Sequence, residues 1–94
     1  MAQAGEALKR YTDAQDRLIK AVTERHNLVS GLEGLSLSVQ GQAIQEGYVK
    51  MFNVSRAQGL INEISKLEEE ISSAVADMNA HAALSRKPTI RTSN

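Results

Sequence analysis

Ninety-four residues make one domain at most, and eleven Lys and Arg balance eleven Asp and Glu. With no cysteine, disulfides, thiolate catalysis and Cys-type zinc sites are excluded. Twelve alanines against three aromatics (Tyr11, Tyr48, Phe52) suit closely packed helices better than a globule filled by bulky side chains.

Ala2 to about Ser30 is expected to form the first helix. Tyr11, Leu18, Arg25 and Leu32 fall seven apart, and Ala7, Ala14, Ala21, Leu28 and Leu35 form the companion row. Leu8, Val22 and Val29 would widen that face. Acid-before-base pairs at four-residue spacing lace the outer surface: Glu6 with Arg10, Asp13 with Arg17, Asp16 with Lys20. Arg25 and His26 suit the negative pole of the helix dipole, and Gly31 is placed to close the helix in the left-handed conformation.

Leu32 to Gly41 is read as an extended connector whose apolar side the helices cover. Leu35, Leu37 and Val39 alternate with polar residues in a strand-like period, and Gly31, Gly34 and Gly41 each disfavour helix by roughly 1 kcal/mol. A strand paired with another subunit is the sharper alternative.

A second helical pattern begins near Gln42 with Ile44, Tyr48, Met51 and Phe52. The expectation is one long, bent helix from about Gln42 to Ser85. A fresh start at Ser55, where Ser55-Arg56-Ala57-Gln58 matches a capping box, is the alternative. Its strongest part is Ala57 to His81. Ala57, Ile64, Ile71 and Met78 alternate with Leu60, Leu67, Ala74 and His81 in steps of three and four, a heptad seam that Ile61 and Val75 widen. Arg86, Lys87 and Pro88 mark the end.

The fold class expected is therefore all-α: two long antiparallel helices forming a coiled-coil-like hairpin over residues 1–87, with a Gly-rich connector and a polar, basic tail over 88–94. Charge is unevenly placed. Residues 60–77 hold one Lys against five acids, whereas 78–94 hold Arg86, Lys87 and Arg91 with no acid. The tail is expected to reach toward the acidic helix of a neighbouring chain, with Ile90 as its anchor.

The chemistry is sparse. His81 lies on the seam with only Asp77 at helical spacing as a possible co-ligand, and His26 has no better partner, so neither is taken as a metal ligand. Glu68, Glu69 and Glu70 point three ways from a helix and do not converge on one ion. No nucleophile–base order or Gly-rich phosphate loop stands out, so no enzyme, cofactor or small-molecule substrate is expected.

The leading expectation is a non-enzymatic structural or assembly subunit, of the kind found in virus particles and secretion machines. It would self-associate, or join other protein subunits, through Leu60, Ile64, Leu67, Ile71, Val75, Met78, Tyr11, Leu18 and Leu28. Arg86, Lys87, Ile90 and Arg91 would make the tail's contacts. A helical chaperone or adaptor using Met51, Phe52 and Met78 as a client groove comes second. Nucleic-acid association through the tail comes third, because three cations without an aromatic platform make a poor site. No apolar run approaches the roughly 20 residues of a membrane span, and Met1 to Arg10 lacks the apolar core of a signal peptide. A soluble protein, in the cytoplasm or incorporated into a particle, is the corresponding expectation.

Overall fold

The computed structural model describes residues 2–39 and 47–93. Two helices, α1 (Ala2–Val39) and α2 (Val54–Ala82), pack along their length as an antiparallel hairpin. The molecule measures 72 × 19 × 17 Å, a rod two helices thick. Among the described residues there is no strand, which removes the strand alternative for Leu35, Leu37 and Val39.

α1 is longer than expected. It runs through Gly31 and Gly34 to Val39, so Arg25 and His26 lie within the helix and Leu32–Val39 is not an extended connector. Packing outweighs the propensity cost. Leu28, Leu32 and Leu35 are half-buried, and the missing side chain of Gly31 makes room for Leu60. A Cβ built on Gly31 would stand 3.4 Å from a Leu60 methyl carbon. Gly31 therefore serves close approach in mid-helix, and no left-handed backbone occurs there. Gly34 has no such role, because a Cβ there meets nothing within 4 Å. Gly34→Ala is expected to stabilise the hairpin by about 0.5–1 kcal/mol through backbone entropy. A thermal midpoint unchanged or lowered would count against a helical Gly34.

The second helix is shorter than expected. Gly47 has φ +83° and residues 48–53 are not helical, so Tyr48, Met51 and Phe52 precede α2 instead of belonging to it. The earlier positions of that expected helix, Ile44 included, lie outside the described residues. The start is not Ser55 either. The side chain of Asn53 accepts a hydrogen bond from the Arg56 N–H at 3.0 Å, and its carbonyl takes the first helical bond from Ala57 at 3.1 Å. Asn53 is thus the N-cap, two residues before the expected capping box.

At its other end α2 closes in a Schellman turn. The Lys87 N–H donates to the Ala82 carbonyl at 2.9 Å and the Arg86 N–H to Ala83 at 3.2 Å. Arg86 takes the left-handed position, φ 56°, that glycine usually occupies. Pro88 then directs the chain away from helix.

Candidate interaction surface

Where the helices meet, small residues dominate. Ala7, Ala14 and Ala21 of α1 are buried, as are Ala57, Ala74 and Ala82 of α2. Alanines on both sides let the backbones approach, and the larger Tyr11, Leu60, Ile71, Val75 and Met78 fill the remaining space. Tyr11 and Ala14 pack with Met78 and Ala82 in one cluster, against which Leu18 and Ile90 also lie. The heptad residues read as an oligomer surface are thus largely used within the chain. Leu60, Ile71, Val75, Met78 and Tyr11 are buried, while Ile64, Leu67, Leu18 and Leu28 stay half-buried.

The residues expected to widen the seam behave differently. Leu8, Val22, Val29 and Ile61 remain between 37% and 46% exposed. Only Val75 of that set is buried. Two helices touch along a narrow stripe, and rows one position outside it need further elements to cover them.

The two flanks of the seam are unlike. On one, Arg17 reaches from α1 to three groups of α2. Its Nε bonds a Glu70 carboxylate oxygen at 2.8 Å, Nη1 reaches Asp77 at 2.6 Å, and Nη2 reaches the Ser73 hydroxyl at 3.2 Å. Hydrogen bonds to Asp77 first, and then to Glu70, hold the guanidinium pKa above its ordinary value. Arg17 therefore turns across the hairpin and away from the expected partner Asp13. Of the pairs expected along α1, Glu6–Arg10 closes, at 2.9 Å. Farther along, and on the tail's side of the seam, Arg25 meets Glu68 at 2.7 Å. Three acids of α2, Glu68, Glu70 and Asp77, are thus answered by arginines of α1.

On the other flank the C-terminal tail folds back. Asn79 holds Ile90 by both backbone groups: the Ile90 N–H donates to Oδ1 at 2.8 Å, and Nδ2 donates to the Ile90 carbonyl at 2.7 Å. The side-chain amide stands in for a neighbouring strand's peptide, and the Ile90 side chain packs on the Tyr11–Met78 cluster. Arg91, Thr92 and Ser93 continue along a groove with Leu18, Arg25, Glu68 and Val75. Ile90 thus docks on its own chain, where the sequence reading sent the tail to a neighbour. Arg86, Lys87 and Arg91 are exposed.

Asn79→Ala removes both hydrogen bonds and is expected to weaken tail docking by about 1–3 kcal/mol, at 0.5–1.5 for each bond. Hydrogen exchange at the Ile90 amide measures this directly. Equal exchange in parent and variant would show that the clamp does not hold the tail. Asn79 was not singled out from sequence, although a carboxamide directly after a buried Met at the end of an apolar seam is a usable signal.

His81 is half-buried, beside Arg10, Asp13, Arg17 and Asp77. Among the described residues no three metal-ligating side chains converge. No helix among them is long and apolar enough to cross a membrane. No family model, curated protein or solved structure matches this chain.

Proposed function

We propose that this chain is a non-enzymatic assembly subunit that associates with copies of itself through its helices. The observation that carries the reading is its surface. The chain exposes 7144 Å². A compact monomer of 10.2 kDa would expose about 5,300 Å². The radius of gyration is 19.9 Å, against about 12 Å for a compact domain of this length. A standard interface removes roughly 800 Å² from each partner, well within that excess. A small subunit of a particle or of a secretion-type assembly is the setting that this rod shape and size suit.

Sedimentation velocity from low to high micromolar concentration tests the reading. Growth of a defined oligomer supports it. A monomer at every concentration would overturn it and favour an adaptor that offers its apolar surface to another protein.

A further inference from the structure

The end of the rod at which the chain passes from α1 to α2 is unlike the rest of its surface. Residues 48–53 are not helical. The Val54 N–H turns back to the Phe52 carbonyl at 3.0 Å about Asn53, whose φ −82° and ψ 85° make an inverse γ-turn. Tyr48, Val49, Met51, Phe52 and Val54 follow closely along this stretch and all stay exposed, from 42% at Phe52 to 82% at Met51. Because neighbouring positions are open together, the stretch presents apolar side chains in several directions and not as one stripe. The charge here is of one sign. Residues 47–62 hold Lys50 and Arg56, both exposed, and no acid, and the acids of α2 begin at Glu63. With Gly31 facing Leu60, the last described residues of α1 lie level with this stretch, and residues 36–39 are uncharged. Among the described residues neither cation makes an ion pair.

We propose that this end of the hairpin docks on an anionic lipid surface, with Tyr48, Met51 and Phe52 entering the headgroup layer and Lys50 and Arg56 meeting the lipid phosphates. The proposal does not depend on self-association. Three observations favour a lipid surface over a protein. The rod's cross-section is 19 × 17 Å, less than half the roughly 800 Å² that each partner buries in a standard protein interface. Apolar residues that point several ways are all covered by a fluid layer, whereas a rigid groove covers one side. The composition also suits a membrane–water boundary: Tyr48 has an apolar ring with a polar tip, Met51 and Phe52 are apolar, and the cations gain from negative headgroups with no acid beside them. The backbone limits the depth. Among the described residues the N–H groups of 48–53 donate to no backbone carbonyl, so they must stay where water or headgroups can pair them.

Flotation of the full chain with vesicles of phosphatidylcholine alone, and of phosphatidylcholine with phosphatidylserine, tests the proposal. The chain has no tryptophan, so Tyr48→Trp reports this end without background. The expected result is binding to the phosphatidylserine vesicles with a blue shift of the Trp emission. Quenchers placed near the headgroups should act on it more than quenchers deep in the acyl chains. Phe52→Ser is expected to lower binding about tenfold or more, the worth of one apolar side chain leaving water. Lys50→Gln and Arg56→Gln should each lower it about fivefold at low salt. Ile19→Ser removes a similarly exposed apolar residue from the middle of α1 and should leave binding unchanged. All four side chains are exposed, and circular dichroism checks that the helices persist in each variant. No binding to either vesicle, or a loss with Ile19→Ser equal to that with Phe52→Ser, overturns the proposal. So does binding that is the same with and without phosphatidylserine. A blue shift of Tyr48→Trp that grows with protein concentration in the absence of vesicles also overturns it, and gives this end to another copy of the chain.

Discussion

Met78→Ala is expected to cost about 2–5 kcal/mol, the range for truncating a well-packed core side chain. Met78 is 1% exposed and is the largest side chain so completely enclosed among the described residues. It joins Tyr11 and Ala14 of α1 to Ala82 of α2, with Leu18 and Ile90 against the same cluster. Its removal leaves a void that two stiff helices can close only by shifting along their length. The same cluster seats Ile90, so the tail should loosen together with the seam. Urea denaturation monitored by circular dichroism measures the loss. A midpoint matching the parent's would mean that the cluster is not the centre of the hairpin.

The opposite error in volume should also be severe. Ala74 is 0% exposed, within a seam rich in alanine. Ala74→Leu inserts three carbons into a fully enclosed site, and overpacking of this kind typically costs about 1–3 kcal/mol. Because a rod has no third layer to absorb the strain, the helices must separate locally, and the Arg17 contacts to Glu70, Ser73 and Asp77 lie on both sides of that point. The expected result is lower stability with weakened cross-helix pairing, read from the denaturation midpoint and its salt dependence. Full stability in the leucine variant would show that the seam is wider than the alanines indicate.

The hairpin itself was legible because its signal is redundant. Apolar residues at heptad spacing run through both arms, and that period admits few folds other than paired helices. The helix ends were less legible, since each rested on one residue with two physical uses. Gly31 can end a helix or let a neighbour come close, and only the presence of Leu60 opposite decides between them. Asn53 and Ser55 can both cap, and the choice depends on where Gly47 has already turned the chain. Arg17 had an acid within reach on its own helix, but Glu70 and Asp77 across the seam offered two. The width of the buried stripe was overread at Leu8, Val22, Val29 and Ile61, because a sequence shows which rows are apolar and not how many partners are present to cover them.

The antiparallel arrangement also orders the assembly of the hairpin in time. Gly31 and Leu60 stand 29 positions apart, whereas Tyr11 and Met78 stand 67 apart. Loop-closure entropy rises with that separation, so contacts around Gly31 and Leu60 are expected to form first and to zip toward Tyr11 and Met78. The last pairs to form are the first to fray, and they are the ones beside which Asn79 clasps Ile90. The tail is therefore expected to act as a latch on that end of the hairpin. It adds little to the rate of closing, and it retards opening where opening begins.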